Sequence, residues 1–136
     1  MGAPQQQADA DNAAASAFIQ RWKDVTASEL ATSQSFVNEL CALLGVAPPT
    51  HEQHYQFERP ITFQHGDGST SAGRVDCYKR GHFVWESKKL KAGIAAQTNG
   101  SAPTKAFDDA LLRARQQAEN YARALPASEG RPPFVV

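Results

Sequence analysis

The sequence predicts an α/β protein with a mixed α+β sheet, in the order helix, helix, three-stranded antiparallel meander, helix, further strand. Three observations carry this. Apolar residues recur at helical spacing through residues 13–45, the period changes to alternation from Tyr55, and helical spacing returns from Lys105 to Leu125 before a last β-branched run, "RPPFVV".

Residues 1–12 are mostly Gln, Ala and Asp, offer almost nothing to bury, and are expected to be disordered, leaving 13–136 as one domain. Phe18, Trp22 and Val25 then recur at spacings of four and three, one face of a short helix. A second helix follows, with Thr26 and Glu29 at the spacing of a capping box. Leu30, Val37, Leu40 and Leu44 extend its stripe to Gly45, a C′ residue, and "VAPPT" ends helical structure. The segments "YQFERPITFQ", "AGRVDCY" and "FVWESKKL" read as strands joined by the turns "HGDGS" and "KRGH", with Pro60 marking the first as an edge or a bulge. Residues 92–104 read as a mobile loop. In the helix beyond it, Phe107, Leu111, Ala114, Ala118, Tyr121 and Leu125 form a stripe for packing on the sheet, and Pro126 stops it. The final "RPPFVV" reads as the opening of a buried strand, parallel to its neighbour after the crossover, in a chain cut from a longer polypeptide.

Fourteen basic residues balance fourteen acidic ones in 136, so no global field draws the chain to nucleic acid or membrane, and a polyanion would have to meet a local cluster. Cys41 and Cys77 have neither metal-ligand nor disulfide-framework spacing, and there is no signal peptide or membrane span. The expectation is a soluble, reduced, cytoplasmic protein.

One strand ends on charge: the apolar "FVW" runs into Glu86, Lys88, Lys89 and Lys91. With the turn at residues 79–82, antiparallel register brings Asp76 almost opposite Glu86, and Lys88, two residues on, shares the face of Glu86. Two carboxylates with water and phosphate oxygens are a donor set suited to Mg²⁺, and an adjacent ammonium can orient a water or stabilise developing negative charge. The bland account is a solvated strand end in which Lys88 pairs with Asp76.

The D…E-x-K pattern on the second and third strands of a meander preceded by a helix and followed by helix and strand resembles the PD-(D/E)xK nuclease core. The resemblance implies Asp76 and Glu86 as metal ligands and Lys88 as catalytic lysine, although "VD" replaces the proline-aspartate pair. "QAENY" resembles the Q-x-x-x-Y motif of the RecB-like branch, which implies that Gln117 and Tyr121 support the site and contact DNA. "SQSFVNELCALLGV", "FVWESKKLK", "AFDDALLRARQQAENYARALP" and "RPPFVV" together resemble the amino-terminal endonuclease domain of the type IIL, MmeI-like, bifunctional restriction-modification enzymes. That resemblance implies a Mg²⁺-dependent double-stranded DNA endonuclease in phage defence. A DNA adenine methyltransferase using S-adenosylmethionine and a target-recognition domain would follow on the same polypeptide.

Other residues have weaker claims. Glu29, also the capping-box residue, and Glu39 are candidates for a further metal ligand from a helix. Lys79, Arg80, Lys89, Lys91, Lys105, Arg113 and Arg115 are candidates for phosphate contacts, or are simply a solvated face. His51, His54, His65 and His82 lack a zinc-like spacing and are assigned nothing. The alternative function is a catalytically silent nuclease-like DNA-binding or interaction module of a DNA methyltransferase.

Overall fold

The structure is a computed structural model that describes residues 3–23, 25, 29–88 and 105–136, without the side chains of 29–31. Its contacts divide it into two compact units, Met1–Pro48 and Pro49–Val136.

The first unit holds helices α1 (Ala3–Trp22) and α2 (Glu29–Leu44). They meet through a ring cluster in which Phe36 lies 5.2 Å from Phe18 and 5.5 Å, edge-on, from Trp22. Arg21 donates through Nε to both Glu39 carboxylate oxygens, at 2.7 and 2.8 Å. Contrary to the expected disorder over residues 1–12, α1 begins at Ala3. This stretch buries nothing, but Ala and Gln are strong helix formers, and Gln5–Asp9 and Gln7–Asp11 are hydrogen-bonded at i,i+4. The terminus of α2 is as expected: Gly45 has φ 69°, its N–H bonds the Ala42 carbonyl, and the Val46 N–H reaches back to Cys41, the two bonds of a Schellman motif. Thr26, the other half of the proposed capping box, lies outside the described residues.

The second unit is a mixed sheet of strands β1 (Tyr55–Gln64), β2 (Thr70–Lys79), β3 (Phe83–Trp85) and β4 (Phe134–Val135), in that spatial order. The first three form the expected antiparallel meander, and β4 pairs parallel to β3. Pro60 does lie in an edge strand, where its missing N–H breaks no internal ladder. Helix α3 (Lys105–Ala124) makes the crossover, and a 3₁₀ turn at Ala127–Glu129 leads into β4. The proposed loop 92–104 lies outside the described residues.

One core cluster joins Ile61, Val75, Tyr78 and Val84 of the sheet to Ala118, Tyr121, Ala122 and Leu125. Val75, Cys77, Tyr78 and Val84 are fully buried, and each apolar side chain so removed from water contributes about 1.5–3 kcal/mol. A half-buried network borders this core: Arg59 binds Glu129 at 2.6 Å, Glu129 accepts from the Tyr78 hydroxyl at 3.0 Å, and the Arg59 guanidinium lies over the Tyr78 ring. Burial, then the Glu129 carboxylate, push the Tyr78 phenol up to about 12.

Two burial expectations need correction. The apolar stripe of α3 is buried only in its C-terminal half, since Leu111 is 51 % exposed. β4 pairs as expected but is not buried: Phe134 is 67 % exposed, because a two-residue edge strand gains its ladder bonds without being covered. No helix among the described residues is long and apolar enough to cross a membrane.

Candidate active site

The site is built where β2 and β3 meet beyond their last regular pair. Cys77 faces Trp85, Tyr78 faces Val84 and Lys79 faces Phe83. Continuing this register by one residue sets Asp76 opposite Glu86, where directly facing residues have Cβ atoms about 4.5–5.5 Å apart. β3 itself stops at Trp85, so Glu86 and Lys88 lie just past the strand rather than within it. On the side away from β2 the segment is still held, because the Glu86 N–H donates to the Val136 carbonyl, just past β4, at 3.0 Å.

Further bonds fix the segment. The Ser87 N–H donates to Asp76 Oδ2 at 2.6 Å, a short, charge-assisted bond, and the Trp85 indole N–H donates to Ser87 Oγ at 2.8 Å. Asp76 thus holds the backbone between Glu86 and Lys88. Glu86 is half-buried with Oε2 withdrawn from solvent, whereas Lys88 is exposed. Within β3, Val84 is the buried member, and Phe83 and Trp85 on the opposite face are half-buried.

Asp76 also occupies an irregular place in its strand. Val75 and Tyr78 both join the core with α3, although alternation puts residues three apart on opposite faces. The β1–β2 register keeps one offset throughout but passes over Glu58 and Asp76, and Glu58 has φ 52°, rare for a residue with a side chain. The alternation changes phase there, taking Asp76 out of the regular succession of faces. Such irregularities re-aim side chains next to functional sites.

Gln117 and Tyr121 are also joined, Gln117 Nε2 donating to the Tyr121 hydroxyl at 3.0 Å. The Tyr121 ring lies 5.6 Å from that of Phe63 and close over Gly73, where an added Cβ would come within 2.8 Å of Tyr121 Cε1. Gly73 precedes Asp76 by three residues, about 10 Å along an extended strand. The pair therefore stands beside the carboxylates along β2, supporting the sheet, and no described hydrogen bond joins it to Asp76 or Glu86.

Among the described residues, the basic candidates do not gather at one cleft. Lys79 lies over the Tyr55 ring, Arg80 donates to the Ser128 carbonyl, and Lys105 and Arg115 pair along their helix with Asp109 and Glu119. Arg113 alone of these lines the groove between α3 and the end of β1. Lys89 and Lys91 lie outside the described residues, as does the side chain of Glu29. Glu39 is engaged by Arg21, whose hydrogen bond holds its carboxyl below the usual range. Sequence reasoning missed Ser87, Gly73 and two amides of the α3 groove, Gln116 and Asn120. For these the signal was present, since with Gln117 they are spaced to share one helical side.

A model of the family described as MmeI, N-terminal domain, matches residues 11–136. The chain belongs to that family. No curated protein and no solved structure gives a significant match. Membership in the MmeI N-terminal domain family associates the chain with restriction-modification enzymes.

Proposed function

We propose that this chain is the Mg²⁺-dependent endonuclease domain of a type IIL restriction-modification protein, hydrolysing phosphodiester bonds of double-stranded DNA in phage defence. A DNA adenine methyltransferase, using S-adenosylmethionine, and a target-recognition domain would share its polypeptide, which would act in the cytoplasm. The observation that carries this reading is the β2–β3 register, which leads to Asp76 opposite Glu86 with Lys88 two residues on.

The residues fit a metal of this kind. Mg²⁺ takes one or two protein carboxylates and completes its octahedron with water and phosphate oxygens, so Asp76 and Glu86 are a sufficient protein donor set. Among the described residues no group of three or more His, Cys, Asp or Glu is placed to hold a metal, so the reading rests on this pair with water and phosphate oxygens. When bound, Mg²⁺ would polarise the scissile phosphate and acidify a water. The chain's own residues do the rest. Ser87 orients the Asp76 carboxylate through its N–H, β4 fixes the Glu86 backbone, and exposed Lys88 holds a positive charge where water or the developing phosphorane can meet it.

The Asp76–Ser87 bond also favours a second reading, a silent nuclease-like module, because it gives Asp76 a structural task without any metal. Cleavage by the full-length protein with Mg²⁺ decides between them. Glu86→Ala and Lys88→Ala are each expected to lower the rate on the order of a hundredfold or more with DNA binding retained. Unchanged cleavage in both variants rules out the catalytic assignment.

A further inference from the structure

The α3–β1 groove has an unusual lining for a chain of zero net charge. It is an open depression of about 830 Å³, bounded by two arginines, Arg113 and Arg123, and by the amides Gln64, Gln116 and Asn120, with no acidic residue in its wall. Arg123 donates to Asn120 at 3.2 Å, which holds that pair together at one end. Arg113, ten residues and about 15 Å earlier on the helix, stands at the other. The floor is Tyr121, seated on Gly73 beside Phe63 and capped by the Gln117 amide.

We infer that this groove is a second DNA contact surface, which holds a phosphodiester backbone between Arg113 and Arg123 and offers amides to its sugar and phosphate oxygens. The inference rests on the reading of the chain as a DNA-acting domain. Glu119, outside the lining, lies 3.9 Å from Arg123 and offsets part of its charge, but the wall itself carries only the two guanidiniums; such local positive charge attracts a polyanion even when net charge is zero, and amide and guanidinium donors are the usual partners of phosphate oxygens. The groove's strand residues, Thr62 to Gln64, pair with Ala72 to Thr70, four to six residues before Asp76 on β2. At strand rise this is about 13–20 Å, or roughly four to six base-pair steps at about 3.4 Å each. The groove would therefore grip the duplex away from the bond being cut, adding affinity without taking part in the chemistry.

The test is the salt dependence of DNA binding by the full-length protein in EDTA, where metal-dependent cleavage is off. Each lost phosphate contact lowers the slope of log K against log[salt] by about 0.9, so Arg113→Gln with Arg123→Gln is expected to lower it by about 1.8. Affinity at 0.1 M salt should fall by roughly eightfold per arginine, the tenth-molar equivalent of that slope. Arg115→Gln, which removes an exposed α3 arginine paired with Glu119 outside the groove, is expected to leave the slope unchanged. An unaltered slope in the double variant overturns the inference, as does an equal fall with Arg115→Gln. Cleavage that survives Glu86→Ala while the double variant loses slope would defeat the catalytic reading alone. Intact Glu86 dependence with an unaltered slope would defeat the groove alone.

Discussion

Gly73→Ala probes the contact between the sheet and the Gln117–Tyr121 pair. Gly73 sits inside β2 with an ordinary strand φ, so backbone conformation does not require glycine there. Propensity alone predicts that alanine stabilises by roughly 0.5–1 kcal/mol, through the lower entropy of the unfolded chain. The packing predicts the reverse. The new Cβ would meet Tyr121 Cε1 at 2.8 Å, Phe63 Cε2 at 3.0 Å and the Tyr121 hydroxyl at 3.3 Å. Tyr121 is buried and its ring packs on Phe63, so neither ring withdraws without disturbing the core. Overpacking of this kind costs about 1–3 kcal/mol, and after the entropic gain the net loss is roughly 0–2.5 kcal/mol, centred a little above 1. In a unit of this size that lowers Tm by roughly 5–10 °C. Thermal and urea denaturation of Gly73→Ala, alone and with Phe63→Leu, measure it; the double variant should recover part of the loss because leucine vacates the ring edge. A Tm raised by Gly73→Ala would refute the close packing of Tyr121 on β2.

Other outcomes follow from the same geometry. Between pH 10 and about 12 the wild-type protein should lose stability, since the buried Tyr78 phenol has its pKa raised, binds its proton more tightly folded than unfolded, and favours folding until pH passes the folded value. Denaturation across that window should show the loss in wild type and not in Tyr78→Phe, which itself costs about 1–3 kcal/mol by leaving Glu129 short of a donor. Asp76→Asn should speed hydrogen exchange at the Ser87 amide by replacing a charge-assisted bond with a neutral one, and unchanged exchange would contradict that brace. Glu39→Gln should leave cleavage intact, because this carboxylate is committed to Arg21; a loss of activity would return it to the list of metal ligands.

Local chemistry was legible in the sequence. Gly45 announced the end of α2, the turns around Gly68 and Gly81, both with positive φ, delimited the strands, and the crossover helix implied the parallel β4. The β2–β3 register followed from turn position alone, because antiparallel register is arithmetic once the turn is located. What was not legible depends on distant partners. Val84 rather than Phe83 or Trp85 fills the core because α3 covers its face, and Leu111 fits the stripe yet lies exposed because packing involves only the C-terminal half of α3. The phase change at Glu58 and Asp76 has no marker other than Pro60 two residues after Glu58, since a glutamate side chain does not favour the left-handed φ that Glu58 adopts. Of the described basic residues near the proposed site in sequence, Lys79 and Arg80 turned elsewhere because they found partners at Tyr55 and Ser128. Helix α1 extends through Ala- and Gln-rich residues because propensity and i,i+4 pairs suffice where no burial is available.

The central claim is that Asp76 and Glu86 together hold a divalent metal. Crystals of the protein soaked with Mn²⁺ in place of Mg²⁺ test it directly through anomalous scattering. The account predicts one peak between the two carboxylates, with an oxygen of each about 2.1–2.2 Å from the ion, and its loss in Glu86→Ala. A peak coordinated by neither residue, or none at metal concentrations that support cleavage, would contradict it.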